Sequence, residues 1–198
     1  MNPAEVLQLL ETRRSVRQFK QDSLSREVIE KCVNATRLAP SARNLQPLEF
    51  VYVDDAELVR KIFPMTKWAG YIMPQGNPKP GQEPVSYLVV LENKEISDAN
   101  FKYDVGAYVE NFLLACWGFE IGSCWILSVN REVLQSILEI PAKYEINCVV
   151  ALGYPAESPM AEDTNDDIKY YKDSDDRLHV PKRKMDHIYH LNKIHEKR

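Results

Sequence analysis

Five residues, Arg13-Arg14-Ser15-Val16-Arg17, bring three guanidiniums and a hydroxyl together in one short stretch. Arginine's planar fork suits a phosphate, or the edge of a delocalised anionic ring, better than a lysine point charge does. A second stretch, Ala39-Pro40-Ser41-Ala42-Arg43-Asn44-Leu45-Gln46-Pro47, has the composition of a turn. Pro40 fixes its own φ, while Ser41 and Asn44 can cap backbone groups or face outward as donors. The first stretch reads as a binding element for such an anionic group, and the second as a turn. The plainer alternative for the arginines is a solvated basic patch.

The elements that must position these residues follow from hydrophobic spacing. Ala4–Glu11 reads as a short helix that delivers the chain to Arg13. Ser25 is placed to cap a helix through Leu38, which Pro40 ends. Leu48–Val53 reads as a strand and Ala56–Phe63 as the helix after it. Tyr87–Leu91 is a nearly all-apolar strand of the kind found in a covered sheet. From Asp104 to Phe119 the pattern predicts a helix apolar on nearly every side, and hence buried all round. In a chain of 198 residues that favours a subunit interface. Cys124–Val129 and Cys148–Leu152 are further strands, with a helix over Arg131–Leu138 capped by Asn130 between them. The acidic, turn-rich stretch Glu157–Asp176 reads as a surface loop, followed by a basic arm, 179–198.

Composition narrows the function. The length suits a single domain, 1–198, with its own core. The formal net charge of −4 argues against a general nucleic-acid binder. Met1-Asn2-Pro3-Ala4-Glu5 has no basic n-region of a secretory signal, and no apolar run approaches the ~20 residues of a membrane span. Cys32, Cys116, Cys124 and Cys148 form no C-x-x-C pair, so buried thiols in the cytoplasm are the expectation. The histidines His179, His187, His190 and His195 lack the cysteine or paired carboxylate that would complete a metal site, and none is expected. His187 and His190 stand three apart on an expected helix. No strand is followed by G-x-G-x-x-G, which excludes a dinucleotide-binding Rossmann domain.

The R-R-S-x-R element and the P-S-x-x-N-x-Q-P element, in this order and separation, resemble the paired signatures of the flavin-dependent nitroreductase family. The resemblance implies an α+β fold, a central and mainly antiparallel sheet flanked by helices, in an intertwined homodimer. It also implies FMN as cofactor and NAD(P)H as electron donor. By resemblance Arg13, Arg14 and Ser15 hold ribityl and phosphate oxygens; Arg17 either touches the flavin or makes a structural ion pair. Pro40, Ser41, Ala42 and Asn44 match the turn that reaches the flavin from the partner subunit. Gln46 is either a ring-edge donor or a turn stabiliser, and Arg43 faces solvent.

Gly122-Ser123-Cys124-Trp125-Ile126 is similar to the family's segment beneath the flavin ring, with Glu120 in place of its first glycine. Trp125 and Ile126 would then pack on the ring, unless the segment is an ordinary core strand. Gly153 resembles a glycine needed for close backbone approach. Lys182 and Arg183 match the point where a basic residue closes over the phosphate, or else form a solvated basic turn. Trp68 and Tyr71 lie in the Pro/Gly-rich insertion Met65–Pro84, where the family places a roof, and are substrate-pocket candidates or plain packing. Asp104 is expected as a helix N-terminal acid, and Glu110, alone on an apolar helix, needs a partner. The implied activity is hydride transfer from NAD(P)H, through the flavin, to a nitroaromatic, quinone or similar acceptor, in ping-pong order and without a protein nucleophile or base. The rivals are a flavin-holding protein with little turnover, and a reductive dehalogenase or flavin-destroying variant of the same fold.

Overall fold

The computed structural model describes residues 2–194; His195 and the end of the basic arm lie outside them. Asn2 caps α1 (Pro3–Thr12) by accepting from the Ala4 N–H at 3.1 Å. The second helix, α2 (Arg26–Thr36), ends before Pro40, and Ser25 stands at its N-cap without a side-chain bond. Then come β1 (Leu48–Val53) and α3 (Ala56–Ile62), the latter capped by Asp55. They are followed by β2 (Ser86–Asn93), α4 (Phe101–Gly118) and β3 (Gly122–Ile126). Last in this part are α5 (Arg131–Ile137), with Asn130 accepting from the Val133 N–H at 3.3 Å, and β4 (Tyr144–Gly153).

These four strands form one antiparallel sheet in the order β1-β2-β4-β3. Successive side chains on a strand point to opposite faces. In β2, Leu88 and Val90 enter the core shared with α2 and α4, while Tyr87, Val89 and Leu91 enter the one shared with α3 and α5. With helices on both faces, neither set can be polar, which is why β2 is apolar without alternation. The architecture is the α+β arrangement that the resemblance implies.

Three local expectations need correction. First, α4 begins at Phe101, three residues before Asp104, which remains the acid of its first turn, as expected, and is buried, at 4% exposure. Second, α4 is not covered all round within one chain. Val105, Tyr108, Val109, Phe112 and Cys116 are buried, but Gly106, Ala107, Glu110 and Leu114 on the far half are only partly so. A Cβ built on Gly106 meets nothing within 4 Å. Third, the stretch 157–176 is more than a loop. It contributes β5 (Met160–Thr164) and β6 (Tyr171–Lys172), which with β7 (Leu178–Arg183) make a second sheet, β5-β7-β6.

Bases on both sides of the run meet its last acid: Lys79, from outside it, and Lys172, from within it, approach Asp176 at 2.6 and 2.8 Å. After β7 only a short 3-10 turn, Met185–His187, is formed, so His187 and His190 do not share a helix. At the exit of α4, Glu120 takes a left-handed φ of 59° that a glycine would adopt more cheaply. Among the described residues no helix is long and apolar enough to cross a membrane.

The second sheet carries a pH-dependent tie. His179 Nδ1 lies 2.9 Å from Glu162 Oε2, and Nε2 lies 2.9 Å from Asp173 Oδ2. Only the imidazolium has a donor at both nitrogens, so the geometry is that of the charged ring. Glu162, then Asp173, raises the His179 pKa, and His179 lowers both of theirs. A raised histidine stabilises the fold below its unfolded value near ~6.5 and loses that contribution as pH rises through the folded value. The lowered carboxylates contribute above about pH 4 and lose their share as pH falls. The sheet should be tightest between these limits. Amide hydrogen exchange in Leu178–Arg183, corrected for the intrinsic rate, should accelerate from pH 6 to pH 9 and lose this pH dependence in His179→Gln.

Candidate cofactor site

Beyond α1 the chain becomes extended and adds itself to the free edge of β3. The Val16 N–H donates to Ser123 O at 2.9 Å, and Ser15 bridges Ser123 in parallel. Further on, Phe19 N–H donates to Gln82 O at 3.0 Å and Lys20 N–H to Tyr154 O at 2.8 Å. Extended backbone alternates its side chains, so fully buried Val16 and partly exposed Ser15 and Arg17 follow from the pleat. Arg14 turns away from this strip: its guanidinium folds back on the carbonyls of Arg13 and Glu11 and caps α1. Burial, with Arg13 alongside, lowers its pKa.

What remains on this strip are donors without acceptors. Arg13 Nε, Arg17 Nε and Ser123 Oγ are buried and make no hydrogen bond, although Arg13 Nε lies 3.4 Å from Glu110 Oε1. Leaving a buried polar group unbonded costs about 1–3 kcal/mol, and three such groups along one pair of adjoining segments are placed where a ligand could supply acceptors. Arg17 is fixed from two sides. Its N–H donates to Glu157 Oε1, and its guanidinium lies 5.3 Å from the ring centroid of Tyr170. Burial pushes the Glu157 carboxyl up, while the Arg17 N–H and the nearby cations Arg17 and Lys172 hold it back.

The second motif is organised by Asp104. Ser41 Oγ–H donates to Asp104 Oδ2 and the Ala42 N–H to Oδ1, both at 2.8 Å. Ser41 Oγ also accepts from the Gln46 N–H at 2.9 Å, and Gln46 Nε2 reaches Asn44 O at 3.3 Å. Arg43, Asn44 and Gln46 all have positive φ, which holds the turn tight, while Pro40 and Asn44 are exposed. Arg43 faces solvent, 75% exposed and 3.6 Å from Asp98. Helix α4 thus holds both motifs, the turn through Asp104 and Arg13 through Glu110. Six residues separate those acids, about 9 Å along the helix and roughly 120° around it. Among the described residues no hydrogen bond or ion pair joins the turn to Arg13–Arg17, so one chain does not bring the two motifs together.

The other expected residues fall in different places. Trp125 is half-buried against the α2/α4 core, and Ile126, 4% exposed, points into the opposite one. Gly153 is needed by the protein itself: a Cβ there would lie 2.9 Å from Phe19 Cβ. Trp68 is a core residue, 4% exposed, with Nε1–H donating to Thr66 Oγ1 at 2.9 Å. That placement corrects its assignment to a pocket. Tyr71, by contrast, is 59% exposed and rests on Tyr170 with ring centroids 5.0 Å apart. Lys182 and Arg183 are exposed at the end of β7, where Arg183 Nη2 donates to His187 O at 2.9 Å. Neither reaches Arg13 or Ser15 by a hydrogen bond or ion pair among the described residues.

Glu157 and Tyr170 were not legible as site residues, because an acidic run reads as solvated. The signal was a tyrosine pair, Tyr170-Tyr171, inside that polar stretch.

Comparison with known proteins identifies the family and the fold. A model described as the nitroreductase family matches residues 10–154. An Archaeoglobus fulgidus protein, provisionally named NADH dehydrogenase/NAD(P)H nitroreductase, is 32% identical over 187 residues, covering 90% of this chain and 98% of its own. The iodotyrosine deiodinase of Haliscomenobacter hydrossis is 29% identical over 192 residues, covering 81% and 83%. Among solved structures, a provisionally assigned nitroreductase of Desulfovibrio desulfuricans in complex with FMN aligns with a TM-score of 0.65 and 26% identity, over 80% of this chain and 89% of its own. The matched span contains the arginine strip, the Ser41 turn and all four strands of the main sheet, and the chain belongs to the nitroreductase family.

Proposed function

We propose that the protein is a homodimeric, FMN-dependent oxidoreductase that passes hydride from NAD(P)H to an electron-poor acceptor such as a nitroaromatic or quinone. The observation that carries this reading is a strip of donors with unused capacity: Arg17 Nε and Ser123 Oγ make no hydrogen bond, and Arg13 Nε makes none beyond its 3.4 Å ion pair to Glu110. Their chemistry fits a group with a phosphate at one end and a hydrogen-bonding ring edge at the other. Arg13 and Ser15 would hold phosphate and ribityl oxygens, and Arg17 would face the ring. Bound FMN would supply the hydride chemistry at its N5, for which no protein base is needed. The residues' work is to bind, orient and exclude water. Glu157 fixes the backbone of Arg17, and Val16 anchors the strip in the core.

A second copy of the chain completes the site in this reading. The Pro40–Gln46 turn lies on another side of α4 from Arg13, so it would serve the neighbour's flavin. The half-covered face of α4 supports this, and so does Gly106, which costs helix stability of about 1 kcal/mol for no packing gain within one chain. Ile188, Tyr189, Leu191 and Ile194, all at least 58% exposed, give the arm an apolar surface to lay on that neighbour. The arm would then carry Lys182 and Arg183 toward the phosphate. All four cysteines are free and buried, which suits a reducing cytoplasm.

The purified protein should be yellow, run as two chains per particle and lose its colour on adding NADH or NADPH. Initial rates with a nitroaromatic acceptor should give parallel double-reciprocal lines, because one site serves donor and acceptor in turn. Flavin that neither nicotinamide reduces would favour a carrier instead. The Haliscomenobacter relative favours a second reading, reductive dehalogenation, and deiodination of iodotyrosine in the same assay would select it.

A further inference from the structure

Tyr71 and Tyr170, ninety-nine positions apart, meet beside Arg17. The Tyr71 N–H donates to the Tyr170 hydroxyl at 3.4 Å, and the two rings are tilted by 49° with centroids 5.0 Å apart. The Tyr170 ring is therefore held at three points: by the Arg17 guanidinium, by the Tyr71 ring, and by the Tyr71 backbone at its hydroxyl. Tyr71 itself is held outward. It lies in the 3-10 turn Gly70–Ile72, entered through Ala69 with φ 38°, a left-handed conformation that alanine rarely adopts. A Cβ on Gly76 would lie 2.2 Å from that of Ala69, so the Gly76 backbone packs closely against the turn. Backbone strain of this kind gathers where a side chain must be presented in one direction.

We propose that Tyr170 determines acceptor specificity: braced on Arg17, it holds Tyr71 as an aromatic wall, so that the site selects flat aromatic acceptors over compact inorganic ones. This rests on the reading of Arg17 as a residue of the flavin site. Offset or tilted rings attract one another beyond their buried area, and a compact ion gains nothing from the wall. Two partners act on Tyr170, its ring on Arg17 and its hydroxyl on Tyr71. Removing the whole side chain should therefore matter more than removing the hydroxyl.

The test compares p-nitrobenzoate with ferricyanide as acceptors of the purified protein. In Tyr170→Ala the ratio of kcat/KM for p-nitrobenzoate to that for ferricyanide should fall roughly fivefold, through KM, with a smaller fall in Tyr170→Phe. Tyr170→Leu, which keeps apolar bulk without a ring face, should show the alanine result and covers poor folding of the alanine variant. Calorimetric titration with p-nitrobenzoate should show the same loss of affinity without turnover. A protein that does not reduce nitroaromatics would therefore overturn the proposed activity and still leave this inference tested. An unchanged affinity for p-nitrobenzoate, or equal losses with both acceptors, would overturn it.

Discussion

Arg13→Ala should emerge from purification with its flavin largely lost. The substitution removes a charge-assisted contact to the phosphate worth about 1.5–3 kcal/mol, which weakens FMN binding by roughly 10- to 150-fold. It also unpairs Glu110, but that carboxylate is 45% exposed, so water compensates it and the fold should survive. Arg43→Ala is the matched control. It deletes an equal charge from a side chain that is 75% exposed and lies 3.6 Å from Asp98, so flavin content should stay at the parental level. Flavin absorbance per chain after gel filtration, followed by FMN titration of the stripped proteins, measures both. Flavin retained in Arg13→Ala and lost in Arg43→Ala would refute the residue assignment while leaving the family intact.

Asp104→Ala should lower thermal stability more than any surface substitution. It deprives the Ser41 hydroxyl and the Ala42 N–H of their acceptor, and each bond is made to a carboxylate that is 4% exposed. At about 1.5–3 kcal/mol per charged hydrogen bond, less what water recovers, the cost is roughly 2–4 kcal/mol. For a chain of this size that is a fall of about 5–15 °C in Tm. Asp104→Asn keeps one acceptor oxygen and should lose about half as much. Calorimetry that found the alanine variant within a degree of the parent would show that the turn does not depend on Asp104.

The elements that sequence reading placed well are those whose partners are local or generic. Strand β1 has matching bounds because Leu48–Val53 lies between a proline and an aspartate pair. Strand β2 reads as covered because any apolar cover produces the same run. The errors have the opposite cause. Acids of the acidic stretch pair with Lys79 and His179 from outside it, and Trp68 is buried by residues from other segments. Ser41 is bonded to an aspartate 63 positions away, which no local pattern reveals. Arg14 bonds the carbonyls of Arg13 and Glu11 rather than facing the strip, and that signal was local, since a cation just past a helix terminus is a common cap. Within the arginine motif, spacing identified the strip but not which guanidiniums the fold had already engaged.

The way that strip is fastened sets an order of events during synthesis. Val16 is bonded to Ser123, Lys20 to Tyr154, and Arg17 to Glu157, 140 residues further on. Closing loops of this length costs entropy that only later contacts offset. On a ribosome, α1 and Arg13–Arg17 emerge long before β3 or Glu157 exists, so the strip waits unattached while the main sheet forms. A chain interrupted before Glu157 would carry every arginine of the motif, with Val16 and Lys20 able to pair, and still lack the carboxylate that fixes the Arg17 backbone.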